Sequence, residues 1–495
     1  MDRLPLLLGI GAGVVLLGVV AVRLSTRIGL PSLLLYLGIG VLIGEAGIGI
    51  RFDDAELTQA LGVAALVLIL ADGGLSTRWS TVRPALGLGI ALSTISVIVS
   101  VTITGFALHW LLGLDLRVAF LWGAVLSSTD AAAVFSVLRG LGLGGRLVGA
   151  LELESGLNDA PVFIAVVLLS SGAVLSWTDP LLVVYELALG GVLGAVIGRL
   201  GAAGLKRAAL PATGLYPLAT LSVCIGTYAL AQTMHASGLL ACYVAALVLG
   251  NSTLPHREGT RSFAEGLGWL AQIGLFVLLG LYVSPDRLIY AVVPALIAAA
   301  VLLLFARPLS VVAAATWFRV PWREQAFLSW AGLRGAVPIV LALVPLTSGL
   351  DGARELVDAV FVLVVVLTVV QGTTLPVVAK ALGLAKPNVQ EIEVDAAPLE
   401  ALRADLLQMT VPQGSKMHGV YVRELRLPEG TGLSLVVRRG ASFTPQGDTR
   451  LQEGDQLLVV ATTTAREAAE RRLRAVDRSG RLARWRGDAG AAPSS

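Results

Sequence analysis

Charge, sulfur and histidine are all scarce in this chain. Only 14% of its 495 residues are Asp, Glu, Lys or Arg, against about 25% in an ordinary soluble protein. So few ionic groups cannot coat the surface of a water-soluble fold of this length. The two cysteines, Cys224 and Cys242, lie in apolar stretches, which excludes a disulfide framework and makes them small buried hydrophobes. The four histidines, His109, His235, His256 and His418, are far apart, and none stands at metal-ligand spacing from a Cys or carboxylate. That argues against a metal enzyme. The net charge of +3 is spread over loops and the C-terminal part. Without a run of Lys and Arg interleaved with aromatics, nucleic acid is not expected as a partner.

What is abundant is apolar. Hydrophobic residues make up 55% of the chain and mean hydropathy is +0.80, so a multi-span membrane protein is expected. A span needs roughly 20 mostly apolar residues, and about thirteen such stretches follow one another by that criterion. The first lies near 4–22, the third near 57–76, the fifth and sixth near 117–138 and 147–172, the eleventh and twelfth near 288–316 and 325–346, and the last near 356–382. The first run has no basic n-region or cleavage site and reads as a retained helix.

Loop charge orients these spans, because Lys and Arg concentrate on the cytoplasmic side. Alternate loops carry Arg23 and Arg27, Arg78 and Arg83, Arg139 and Arg146, Lys206 and Arg207, Arg257 and Arg261, Arg319 and Arg323, and Lys380 and Lys386. The intervening loops hold mainly acids, among them Asp53, Asp54, Glu56, Asp115, Asp179, Asp286, Asp351 and Glu355. This alternation places the N-terminus outside and the C-terminal part in the cytoplasm of a cell membrane.

The C-terminal part is denser in charge. Apolar or alternating runs at 419–422, 433–437 and 456–461 are separated by turn signals such as Pro428-Glu429-Gly430 and Glu453-Gly454-Asp455, as in short strands. Thr464 and Glu467 have the spacing of a capping box that opens a helix through about Arg474. The expected organisation is a membrane domain over 1–385, a linker over 386–394, a small domain over 395–475 and a disordered tail over 476–495. No Gly-rich phosphate loop precedes the helix, so a complete dinucleotide-binding fold and a cofactor are not expected.

Charged side chains at bilayer depth are costly and mark function by default. The candidates are Asp72, Asp130, Glu154, Asp159, Arg307 and Arg334. In the fifth span, Ser127-Ser128-Thr129-Asp130 supplies four polar side chains in succession, which can replace the helical ladder at a local break. In the sixth, Ser155 lies three and four residues before Asn158 and Asp159, placing these groups on one helical face. Carboxylates, hydroxyls and carbonyls form a hard oxygen set suited to an alkali cation. An Asp that binds either a proton or a cation, but is too costly to move bare across the bilayer, exchanges one for the other. The competing reading for Asp130 and Asp159 is a purely structural pairing with arginines. For Glu154 that structural reading is favoured, because Arg307 in the eleventh span needs a counter-charge.

The twelfth span contains Gly332-Leu333-Arg334-Gly335-Ala336-Val337-Pro338, in which glycines and proline predict an interruption. Spans five and twelve are seven apart, hence oppositely oriented, as in an inverted repeat whose two discontinuous helices cross at the site. Arg334 has two readings, a charge that offsets carbonyl ends at this crossing and a residue that snorkels to the interface. Asp72 likewise reads as either a site contributor or an interfacial acid.

These three motifs, 128–131, 154–159 and 332–336, resemble those of the NhaP-type cation/proton antiporters. The resemblance implies an all-α polytopic fold of about thirteen transmembrane helices with inverted repeats and crossed discontinuous helices, assembled as a homodimer. It implies a cation and proton site from the Thr129 backbone with Asp130, Ser155 and Asp159. It also implies electroneutral one-for-one exchange, from Asn158 standing before Asp159, and a structural Glu154–Arg307 ion pair. The segment 395–475 resembles a TrkA-C domain, a small α/β regulatory module, without the nucleotide-binding half that usually precedes it. That pairing tilts the cation toward potassium over sodium, with a small regulatory ligand on the C-terminal domain. A cation channel and an intramembrane aspartyl protease are the alternatives from other classes; no channel filter motif is present, and Ser155 and Asn158 suit ion coordination better than a protease dyad.

Overall fold

A computed structural model describes residues 4–28, 31–45, 47–50, 52–130, 143–173, 176–385, 404–462 and 464–480. The chain divides into two compact units, Met1–Val389 and Gln390–Ser495.

The first unit is helical. In order, its principal helices among the described residues are α1 (Leu4–Ile28), α2 (Ser32–Ile43), α3 (Ala55–Ser76), α4 (Leu86–Leu112), α5 (Leu116–Ser127), α6 (Gly145–Ser170), α7 (Asp179–Arg207), α8 (Leu215–Thr233), α9 (Gly238–Gly250) and α10 (Arg257–Tyr282). There follow α11 (Pro285–Val301), which continues through a π turn at Leu302–Ala306 into α12 (Arg307–Ala315), then α13 (Trp322–Trp330), α14 (Val337–Thr347) and α15 (Ala353–Ala381). Each of the thirteen apolar stretches contains helix, and eight of the described helical segments are long and apolar enough to cross a membrane alone. The end of the fifth stretch, beyond Asp130, lies outside the described residues.

Small residues bring helices into close approach. Gly190, Gly194 and Gly198 recur every four residues on α7, and a Cβ on Gly194 would stand 2.9 Å from Val244 Cβ and 3.0 Å from Ala241 Cα on α9. This is the spacing that lets membrane helices pack backbone to backbone. Cys224 and Cys242 are free and buried. They belong to an apolar cluster shared by α3 and α7–α10, while a larger cluster joins α1–α6 and α10–α15. Helix α3 faces both, with Leu66 in the larger and Val67, Leu70 and Ala71 in the smaller.

The second unit is a four-stranded antiparallel sheet with order β1-β4-β2-β3, built from β1 (Ala404–Thr410), β2 (Thr431–Arg438), β3 (Ala441–Phe443) and β4 (Gln456–Thr462), followed by helix α16 (Arg466–Ser479). The sequence reading is corrected in several places. Residues 419–422 form no strand but an isolated bridge at Tyr421 leading into a 3-10 turn, Val422–Leu425. Neither strand β1 nor strand β3 was anticipated. Helix α16 starts after Ala465 without a side-chain cap, and it continues past 476 to Ser479. The reason is packing: Val476 is fully buried, the Asp477 carboxylate accepts a short hydrogen bond from Ser415 Oγ, and Lys416 N–H donates to the Asp477 carbonyl at 3.0 Å. These contacts hold a turn of helix that composition alone assigns to disorder.

Inside this unit Asp455 is fully buried and receives both arms of Arg438, Nε at 2.7 Å and Nη2 at 2.8 Å, plus the Gln452 N–H at 2.8 Å. Burial alone would raise the carboxyl, but these donors outweigh it and hold Asp455 below the ordinary carboxylate range.

Candidate functional site

Two helices stop in mid-unit and meet. Helix α5 ends at Ser127, and Ser128 is extended, with ψ of 141°. Helix α13 ends at Trp330, and α14 begins only at Val337. Pro338 falls in the first turn of α14, where its missing N–H costs nothing. The two extended segments join through the Asp130 N–H, which donates to the Leu333 carbonyl at 2.9 Å. Helix α15 satisfies other freed carbonyls: Gln371 Nε2 donates to Trp330 O at 2.9 Å, and Thr368 Oγ1 to Arg334 O at 3.1 Å.

Helix α6 supplies the facing side chains. Ser128 Oγ donates to Asp159 Oδ1 at 2.9 Å, Asn158 Nδ2 to Thr129 Oγ1 at 2.5 Å, and Ser155 Oγ to the Thr129 carbonyl at 3.2 Å. Asp159, Asn158, Ser128 and Thr129 are all buried. The Asp130 carboxylate lies so close to Gly335 that a Cβ there would collide with it. It therefore sits near the N-terminal end of α14, where unpaired N–H groups favour negative charge. The structure thus brings Thr129, Asp130, Ser155, Asn158 and Asp159 together around one break.

Behind this cluster, Arg307 Nη1 stands 2.6 Å from Glu154 Oε1, both side chains almost wholly buried. The contact is a charge pairing rather than an aligned hydrogen bond, since no donor among the described residues is directed at either Glu154 oxygen. Arg307 Nη2 donates instead to Leu328 O at 3.2 Å, near the end of α13. Gly332 is needed here, because a Cβ would stand 2.7 Å from Arg307 Nε. Arg334 is 1% exposed, and its Nη1 donates to Gly332 O at 3.2 Å. This excludes the snorkelling reading and puts its charge by the carbonyl end of α13.

A cavity of about 430 Å³ leads to the break, lined by Thr129, Asp130, Ser155 and Asp159 and, further along, by Asp72, Glu152, Tyr243 and Glu265. Asp72 thus shares the cavity with the break, and its carboxylate lies against Gly268 of α10. Glu152 and Tyr243 were missed in the sequence, although Glu152 lies one turn before Ser155 and two before Asp159 on the same helical face. A half-buried pair elsewhere was missed too: Arg287 Nε meets the buried Asp358 at Oδ2, 3.2 Å away.

Residues 13–381 match the family described as sodium/hydrogen exchanger, transmembrane, and residues 406–474 match the TrkA-C domain. The chain belongs to the sodium/hydrogen exchanger family. It is accordingly a multi-pass cation/proton antiporter, a secondary transporter and not an enzyme. Similar proteins include the K(+)/H(+) antiporter NhaP of Alkalimonas amylolytica, 35% identical over 93% of this chain and 84% of the relative. NhaP2 of Shewanella oneidensis, also named a K(+)/H(+) antiporter, is 35% identical over 97% of this chain and 85% of its own length. The Na(+)/H(+) antiporter ApNhaP of Aphanothece halophytica is 30% identical over 70% of this chain and 69% of its own. Among solved structures, the sodium proton antiporter MjNhaP1 of Methanocaldococcus jannaschii matches with a TM-score of 0.67 at 20% identity, covering 77% of this chain and 99% of that one.

Proposed function

We propose that the chain exchanges potassium for protons, one for one, by letting the two compete for Asp159. The observation that carries this reading is the hydrogen-bonded cluster at the α5 break, in which Ser128 holds Asp159 while Ser155 and Asn158 hold Thr129. These oxygens can replace part of a cation's hydration shell. A bare carboxylate is too costly to carry through the bilayer, so Asp159 crosses loaded with either ion. Asp130 contributes charge at the N-terminal end of α14, Asp72 faces the approach, and Arg334 balances the carbonyl end of α13.

Potassium is favoured because relatives named K(+)/H(+) antiporters align over nearly the whole chain, whereas ApNhaP, named for sodium, aligns over less of it at lower identity. Sodium with the same mechanism is the alternative. The alternating loop charge supports an N-terminus outside, and with it the Asp72 end of the cavity opens to the cytoplasm. The resemblance supports a homodimer, and the TrkA-C unit a regulator that takes a small ligand.

The test is dequenching of an imposed pH gradient in proteoliposomes with potassium, sodium, lithium or rubidium, with and without a membrane potential. Electroneutral potassium exchange is expected. Dequenching that tracks the potential, or appears only with sodium, refutes the respective part.

A further inference from the structure

The carboxylate Glu152 takes no part in the cluster at the break. It lies on α6 seven residues before Asp159, roughly 10 Å along the helix at 1.5 Å per residue and on the same face. It lines the cavity, yet its Oε2 is enclosed and has no hydrogen-bond partner among the described residues. Beside it stands a second polar group. Tyr243 of α9 is 2% exposed and lines the same cavity, and its hydroxyl faces the Thr77 side chain. Its ring packs on Gly156, where any Cβ would collide with it, so Tyr243 sits level with the turn between Glu152 and Asp159. The phenol and the carboxylate are within electrostatic reach of each other. Arg78, an exposed residue, is also within reach of Glu152 but forms no ion pair with it among the described residues.

Buried polar atoms are nearly always satisfied, so the orphaned Glu152 oxygen on the cavity wall calls for a transient partner. A water alone would satisfy it, but a carboxylate facing a route for cations favours a positive occupant. We propose that Glu152 and Tyr243 form a staging site, where an incoming alkali cation, still partly hydrated, pauses before reaching Asp159. The carboxylate neutralises the ion, and the phenolic oxygen replaces one water. The cavity has room for the remaining shell. The inference rests on the exchange reading above and adds to it a second position on the route.

Glu152→Gln and Tyr243→Phe should raise the KM for the cation while lowering Vmax less than twofold. For Glu152→Gln the rise is on the order of fivefold, the effect of one unit charge about 10 Å from the inner site at a dielectric between those of water and a protein surface. Glu152→Asp should restore a KM close to that of the unaltered protein. If Glu152 instead serves only to pair with Arg78, then Arg78→Gln should impair transport as Glu152→Gln does. Under staging, Arg78→Gln removes a competing positive charge and lowers KM. An unchanged KM in Glu152→Gln, a loss of Vmax alone, or a parallel loss in Arg78→Gln overturns the staging site. Failure of the unaltered protein to exchange any alkali cation for protons would overturn the underlying reading instead.

Discussion

Replacing Glu154 by Gln is a sharp probe of what holds the interrupted helices in place. The substitution keeps size and removes only charge. Arg307, 2.6 Å from Glu154 and buried with it, would be left with the Leu328 carbonyl as its hydrogen-bond acceptor. Arg334 adds to the cost, because it is fully buried within electrostatic reach of both. Two buried guanidiniums would then share no carboxylate. Breaking a buried pair by removing one partner costs about 3–5 kcal/mol, and the second arginine places this case at the upper end. The assay is the midpoint of unfolding in mixed detergent and SDS micelles, followed by tryptophan fluorescence. The double variant Glu154→Leu with Arg307→Met removes both charges and should be more stable than Glu154→Gln. A Glu154→Gln midpoint equal to that of the unaltered protein, or a double variant that loses the sum of both single losses, would refute the argument.

Other outcomes follow from particular contacts. Gly335→Ala would drive a methyl group into the Asp130 carboxylate and should cut exchange by ~10-fold or more, with the protein still folded by size exclusion. In the C-terminal unit, Asp455→Asn removes the charge that two Arg438 nitrogens and one backbone amide contact, and hydrogen bonds to charged groups contribute about 1.5–3 kcal/mol each. The Asp455 carboxyl is depressed on folding, so its contribution is complete above the unfolded value of about 3.9 and fades as pH falls through the folded value. Hydrogen exchange of β4 in the full chain should be faster in Asp455→Asn at pH 7, and the difference should shrink in acid below that range. Deleting everything after 387 should alter regulation and leave exchange intact; an inserted but inert product would show the C-terminal unit to be essential.

Much of the membrane unit was legible because its signals are local. Apolar stretches of span length locate the helices. The Ser127–Asp130 run and the Gly332–Pro338 segment locate the breaks through side chains that compete with, or cannot join, the helical ladder. The pairing of Glu154 with Arg307 could be argued from the cost of an isolated buried charge. What stayed hidden depends on contacts between distant segments. Tyr243 is an ordinary apolar-span residue until α9 packs against Gly156. Asp358 is buried and pairs with Arg287, 71 residues away in sequence, so no local signal marks the contact. Strand β1 exists because it pairs with β4, and α16 reaches Ser479 because Asp477 docks on the loop at Ser415. The π turn before Arg307 has no composition signal at all.

The central claim is that Asp159 is the group for which cation and proton compete. Asp159→Asn keeps an acceptor for Ser128 but can neither release a proton nor neutralise a cation. In proteoliposomes with an imposed pH gradient, potassium should dequench the signal for the unaltered protein and leave it unchanged for a correctly inserted Asp159→Asn variant. Potassium-dependent proton movement that persists in that variant would contradict the account.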